Sequence, residues 1–241
     1  MPVTKSKIER NLQKIRQDVA DACARARRTV EEVLVLPVTK TVGLEEVKSL
    51  VEMGVADLAE SHVQQLVERA EELAAHMQRK RAGWTGPVRW HMVGHLQRNK
   101  VNALIDAADV VHSVDSLRLA EAINARAERM ERKADILLQV NCSDEAQKFG
   151  CAVGAAVHLA EMIGTLKSVR LVGLMTLAPL CDDPEGSRPS FVRLRELFDE
   201  MQHERIGGEA FRHLSMGMSN DYAVAVEEGA TILRVGRAVF A

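Results

Sequence analysis

The feature that most limits what this chain can fold into is an eightfold alternation. Short β-branched or leucine-rich runs alternate with stretches whose apolar residues recur at steps of three and four. The runs fall at residues 33–36, 56–59, 88–93, 110–114, 136–140, 169–175, 211–214 and 231–235. Typical helical stretches between them carry Leu44, Val47, Leu50 and Val51, then Val63, Leu66, Ala70 and Leu73, and later Ala155, Leu159, Met162 and Ile163. Strands separated by helices form parallel sheets, and eight such units are the number that closes a barrel; an open doubly wound sheet is the alternative. Ile8, Leu12, Ile15, Val19 and Cys23 put one more apolar stripe on a helix over residues 6–28, ahead of the first strand. The expectation is an α/β fold, a single (β/α)₈ TIM-type barrel with an extra N-terminal helix, covering residues 1–241 as one domain.

Charge and composition narrow the function. Lys and Arg number 32 against 34 Asp and Glu, a net charge of -2, which gives the whole chain no electrostatic reason to bind nucleic acid or an anionic membrane. The basic run Arg79-Lys80-Arg81 lies in a polar connection and reads as a solvated face. Residues 1–11 are polar, and no stretch has the character of a membrane span, so a cytoplasmic protein, acting as a monomer, is expected. Cys23, Cys142, Cys151 and Cys181 are scattered without a CxxC pair and read as free thiols. No cluster suggests a metal site.

Three regions carry chemistry. Lys40 follows the apolar run 33–38 and so falls at the C-terminal mouth of a strand, where a dry surrounding would favour the neutral amine that attacks an aldehyde; a solvated surface lysine is the plain alternative. Ser215-Met-Gly-Met-Ser-Asn-Asp221 follows the seventh run and Arg234-Val-Gly-Arg237 closes the eighth, the positions of the recurrent phosphate site of barrels. Gly217 and Gly236 permit close backbone approach there, although glycines serving only tight turns would look the same. The irregular stretch 179–189 follows the sixth run and is a candidate lid. Pro37 lacks an N–H, so a bulge or strand end is expected beside it.

The third region is Trp90-His-Met-Val-Gly-His-Leu-Gln-Arg-Asn-Lys100. It resembles the Trp-His-x-x-Gly-x-Leu-Gln-x-Asn-Lys signature of the pyridoxal phosphate homeostasis proteins, whose barrel is similar to the alanine racemase N-terminal domain. Val38-Thr-Lys-Thr41, Val140-Asn-Cys-Ser-Asp-Glu145, Gly173-Leu-Met-Thr176, the 214–221 segment and Arg234-Val-Gly236 extend the resemblance over nearly the whole chain. The resemblance implies pyridoxal 5′-phosphate held as a Schiff base on Lys40, with Ser215 and the Gly236 backbone on the phosphate and Arg234 at the pyridine nitrogen. A guanidinium cannot itself protonate that nitrogen, which leaves the cofactor a poorer electron sink. Two site positions depart from the family pattern: Ser61 stands where Asn is usual and Arg237 where Thr is usual, so neither a carboxamide near the ring nor a hydroxyl near the phosphate is supplied there. His91 and Gln97 are candidates for the pocket mouth, with a hydrogen-bonded structural role as the plainer reading of His91, and His62 reads as surface.

The resemblance implies a non-catalytic carrier in intracellular cofactor homeostasis, with pyridoxal-dependent apoenzymes as its partners. A racemase and a cofactor-free interaction barrel are the other readings. Racemases of the alanine type use a tyrosine opposite the lysine, and the only tyrosine here, Tyr222, adjoins the phosphate segment.

Overall fold

The computed structural model describes residues 3–79, 86–143, 145 and 147–241. Lys80 and Arg81 of the basic run, and Asp144 of the 140–145 motif, lie outside the described residues. Helix α1 (Lys5–Ala26) opens the chain, and Thr4 caps it by accepting from the Lys7 N–H. Its stripe of Ile8, Leu12, Ile15, Val19 and Cys23 is buried as the spacing predicts. The repeating units follow: β1 (Leu34–Pro37), α2 (Leu44–Glu52), β2 (Asp57–Glu60), α3 (Val63–Arg79), β3 (Arg89–Met92), α4 (Val101–Ala107), β4 (Val110–Val114), α5 (Leu117–Arg129) and β5 (Ala134–Asn141). Then come β6 (Cys151–Ala152), α6 (Val153–Gly164), β7 (Val169–Met175), α7 (Arg188–His203), β8 (His213–Ser215), α8 (Tyr222–Glu227), β9 (Ile232–Val235) and α9 (Arg237–Phe240).

The eight long-range strands pair in parallel in the order β1-β9-β8-β7-β5-β4-β3-β2. The two ends of that row meet at a bridge between Val38 and Ala59, so the sheet closes on itself and the open-sheet alternative is set aside. Pro37 is the last residue of β1, and the next donors, Val38 N–H and Thr39 N–H, turn to opposite neighbours, Val235 and Ala59. The proline therefore sits where the strand changes partner, which is the expected strand end.

Two details differ from the sequence reading. Strand β6 is a two-residue addition that pairs only with the tip of β5, too short to show as a periodic run. Helix α6 buries Ala156, Ala160 and Ile163, whereas Ala155 and Met162 face solvent. The outer face is marked by the exposed pair His158 and Glu161, and Ala155 and Met162 share it at helical spacing although they are apolar.

The main core lies between strands and helices. Inside the barrel two separate apolar clusters form, one of Leu36, Val38, Ala59 and Ile232 and one of Val110, Leu137, Val172 and Met175. The polar side chains of His91, His112, Ser215 and Arg234 are also buried there. Close approach at the C-terminal end depends on Gly94, where an added Cβ would stand 2.1 Å from the Ser61 carbonyl oxygen. Gly94→Ala is therefore expected to lower stability by about 1–3 kcal/mol in urea unfolding through overpacking against backbone. Gly154→Ala, in a helix with open space around it, should instead be neutral or stabilising by up to about 1 kcal/mol. Equal effects of the two would contradict the contact.

Candidate functional site

At the C-terminal end of the barrel the loops after β1, β2, β3, β5, β7, β8 and β9 enclose a cavity of about 590 Å³. Its wall includes Lys40, Ser61, Gly94, Lys148, Ser219, Asp221, Arg234, Gly236 and Arg237. Four cationic side chains and one carboxylate face this space, and Asp221 is already engaged: it accepts from the Met218 N–H at 2.6 Å and from the Ser187 hydroxyl at 3.0 Å. The balance suits an anion.

Lys40 is held from behind. Thr39 N–H donates to Ala59 O at 2.9 Å, and Thr39 O accepts from Arg69 Nη1 at 2.7 Å. Arg69 also reaches Val42 O and pairs with the buried Glu60 carboxylate, which in turn accepts from the Thr39 hydroxyl. Burial raises the Glu60 carboxyl above its usual range, and Thr39 and Arg69 pull it partly back. The Glu60–Arg69 pair thus fixes the backbone on both sides of Lys40 from α3. The dry surrounding expected for the Lys40 side chain is not found: the residue is exposed at the cavity mouth, because the β1 loop turns outward once Thr39 has paired with β2.

Arg234, 3% exposed, stands on β9, the strand that pairs with β1. Its Nη1 donates to Ser215 Oγ at 2.7 Å and its Nη2 to Thr176 O at 2.8 Å. Burial lowers its pKa to about 10, against the opposing pull of Asp221, so it stays a cation at neutral pH. Ser215 is placed differently from the direct phosphate contact expected of it: its hydroxyl is fully buried, bound by Arg234 and by His112 Nδ1 at 2.8 Å, and does not line the cavity. Strand alternation turns Ser215 into the barrel interior beside Ile232, its partner on β9. The hydroxyl of this segment that lines the cavity is Ser219, four residues on, past Gly217, whose φ of +87° turns the chain. Ser219 Oγ accepts from the Ala238 N–H at 3.1 Å, which joins the β8 loop to the start of α9, beside Gly236 and Arg237.

Ser61 and Arg237, the two departures, both border the cavity; Ser61 Oγ lies 3.1 Å from His62 Nδ1, and Arg237 Nη2 donates to Asn220 Oδ1 at 3.1 Å. His91 is buried at 2% exposure inside the barrel, while Gln97 and His62 are exposed and none of the three lines the cavity. Lys148, which no motif in the sequence singles out, is presented by a loop that Asn141 folds through bonds to the Glu145 and Lys148 carbonyls, and Lys148 Nζ donates to Ala178 O at 3.1 Å. The 179–189 stretch is tied at its far end by Ser187 and by Arg188, which bonds Glu185, Glu227 and Glu228, whereas Leu180 is 84% exposed. Tyr222 points away from the cavity and donates to Asp18 Oδ2 on α1 at 2.6 Å. The four cysteines are free thiols. Among the described residues no metal-binding cluster occurs, and no helix is long and apolar enough to cross a membrane.

Burial, with the nearby His91 and Arg234, holds His112 well below the ordinary imidazole value. A histidine kept neutral in the folded state binds its proton only after unfolding, so its contribution is complete above about pH 6.5 and is lost as pH falls toward the depressed folded value. Urea unfolding from pH 7 to 5 should show stability falling, and His112→Gln should reduce that slope by at most about 1.4 kcal/mol per pH unit. An unchanged slope would contradict a neutral buried His112.

Residues 5–241 match the family described as the alanine racemase N-terminal domain. The chain is 36% identical over 229 residues to a pyridoxal phosphate homeostasis protein of Aquifex aeolicus, covering 95% of each. Among solved structures, a protein of unknown function from Bifidobacterium adolescentis superposes with a TM-score of 0.90 at 33% identity, over 100% of this chain and 98% of that one. PipY of Synechococcus elongatus with pyridoxal phosphate bound superposes with a TM-score of 0.77 at 28% identity, over 92% and 100%.

Proposed function

Because the chain belongs to the family of pyridoxal phosphate homeostasis proteins, built on the alanine racemase N-terminal fold, we propose that its cavity holds pyridoxal 5′-phosphate as a non-catalytic carrier. The observation that carries this reading is the convergence in one cavity of about 590 Å³ of an exposed amine, Lys40, a buried guanidinium, Arg234, and a hydroxyl and backbone corner at Ser219, Gly236 and Arg237. The volume and the mixture of apolar wall with a few polar groups are those of a small-molecule site. The donor set fits the cofactor: an amine for its aldehyde, a fixed cation for its ring, and donors with surplus positive charge for its phosphate.

Lys40 is the residue we assign to hold the cofactor's aldehyde, to which its exposed amine would be offered at the cavity mouth. Arg234 would serve the ring nitrogen as a donor, and because the guanidinium remains a cation it would withhold the proton that makes the ring a strong electron sink. The phosphate we assign to the Ser219 hydroxyl and the Gly236 and Arg237 backbone, with the role of Ser215 moved from phosphate contact to support of Arg234. When bound, the cofactor supplies an electrophilic aldehyde that an acceptor protein's lysine can also take.

A racemase would need an acid or base facing Lys40 across the cofactor. Tyr222 is engaged with Asp18 on α1, which favours carriage over turnover. A cofactor-free barrel is disfavoured because Ser61 and Arg237 border the cavity without filling it. The same reading takes the protein as a cytoplasmic monomer that delivers cofactor to apoenzymes and binds neither nucleic acid nor membrane.

Purified protein given pyridoxal 5′-phosphate should develop a visible band that Lys40→Ala abolishes. Ser219→Ala should weaken retention by about 1–3 kcal/mol through loss of a charge-assisted hydrogen bond, measured by dialysis against buffer. Alanine and other common amino acids should not be racemised. No visible band in the wild type, or robust turnover that Lys40→Ala removes, would overturn the carrier reading.

A further inference from the structure

A row of hydrogen bonds crosses the barrel interior beneath the cavity. Arg234 Nη1 meets Ser215 Oγ at 2.7 Å, Ser215 Oγ meets His112 Nδ1 at 2.8 Å, His112 Nε2 meets His91 Nδ1 at 2.9 Å, and His91 Nε2 meets Asp57 Oδ1 at 2.9 Å. Ser215, His112, His91 and Arg234 are at most 3% exposed. Asp57, at the start of β2, borders a cleft at the N-terminal end of the barrel and lies 3.5 Å from Arg89. The row therefore joins a group near solvent at one end of the barrel to the cavity wall at the other.

Its two ends dictate its direction. A guanidinium only donates, and an ionised carboxylate only accepts. Burial disfavours the Asp57 charge, but the hydrogen bond from His91 and the nearby Arg89 outweigh it and leave the carboxyl below its usual range, hence ionised. Ser215 Oγ accepts from Arg234, so its own hydrogen is available for His112 Nδ1. Neutral His112 then carries its proton on Nε2 and gives it to His91 Nδ1, and His91 gives Nε2–H to Asp57. Reversing the order with neutral rings would set a bare His91 nitrogen against the Asp57 carboxylate at 2.9 Å, two acceptors in contact.

We propose that Asp57, His91, His112 and Ser215 are positioning residues that form a one-way donor chain. It holds Arg234 in place as a cation on the cavity wall, with both imidazoles as Nε2–H tautomers. The chain is a property of the protein alone; its effect on a cofactor rests on the reading given under Proposed function. Because each ring's tautomer depends on its neighbour, a change at Asp57 is transmitted to His112, one whole imidazole away.

The test uses the full chain labelled with ¹⁵N-histidine, without added cofactor, at pH 7, with ring signals assigned through His91→Gln and His112→Gln. The expected spectrum has protonated-type nitrogens at Nε2 and bare-type nitrogens at Nδ1 in both rings. An imidazolium at His91, or a proton on Nδ1 of His112, would overturn the proposal. In Asp57→Asn the ring signals of His91 and His112 should both shift; a response confined to His91 would overturn it, and if that variant does not fold the wild-type tautomers decide. With pyridoxal 5′-phosphate bound, Asp57→Asn should shift the visible band or the pH midpoint of its titration, whereas Asp106→Asn, the same change at a carboxylate that pairs with Arg126 away from the row, should leave both in place. A superimposable Asp57→Asn titration would contradict transmission to Arg234, while failure of the wild type to bind the cofactor would refute the carrier reading and leave the tautomer test as the judge of the chain.

Discussion

A guanidinium inside a barrel must be given acceptors. Removing a partner from a buried charge typically costs about 3–5 kcal/mol, because the remaining group has lost water without replacement. Arg234 on β9 is supplied from its neighbours: the Ser215 hydroxyl from β8 and the Thr176 carbonyl just after β7 take its side-chain hydrogens, and Gly217 O takes its backbone N–H at 3.0 Å. Satisfying this one side chain fixes the ends of three consecutive strands, and with them the wall of the cavity. It also explains the polar residues between the two apolar clusters of the barrel interior. Ser215 can serve Arg234 fully only if its own hydrogen is accepted by His112.

The adjoining wall, on β1 and β2, is built on a buried charge pair. Glu60 and Arg69 lie behind the β1 loop, and the bonds of Arg69 to the Thr39 and Val42 carbonyls set the path of the backbone around Lys40. Lys40 therefore has an ordered backbone and an exposed side chain, whereas Arg234 is ordered in both. A carrier needs this asymmetry: one group fixed to orient a ring, and one group open enough to exchange a covalent partner with another protein's lysine.

Much of this architecture is legible in the amino-acid sequence. The eightfold alternation marks every barrel strand: β1, β5, β7 and β9 are mainly apolar runs, as parallel strands buried on both faces should be, whereas β2, β3 and β8 are shorter and interrupted by polar residues. Phase is harder. In α6 the outer face is marked only by His158 and Glu161, and the apolar Ala155 and Met162 lie on that same face in solvent. Ser215 lies inside the barrel and not in the cavity for a related reason: Ser215 and Ser219 lie in one short segment, and only the parity of β8 and the turn at Gly217 decide which hydroxyl faces inward and which faces the cavity. That parity is readable from Leu214 and Met216 flanking Ser215. The Asp57–His91–His112 row is not, because it joins side chains from different strands whose registers come only from the closed barrel. Glu60 and Arg69, nine residues apart, give one usable signal, a carboxylate ending a run of apolar residues.

The most direct measurement is the site of covalent attachment. Protein loaded with pyridoxal 5′-phosphate, reduced with borohydride and digested, should carry the pyridoxyl mass on the peptide containing Lys40, with Arg234 and Ser219 unmodified beside the same cavity. A label found only on Lys148 or on another lysine, with Lys40 free, would contradict the account.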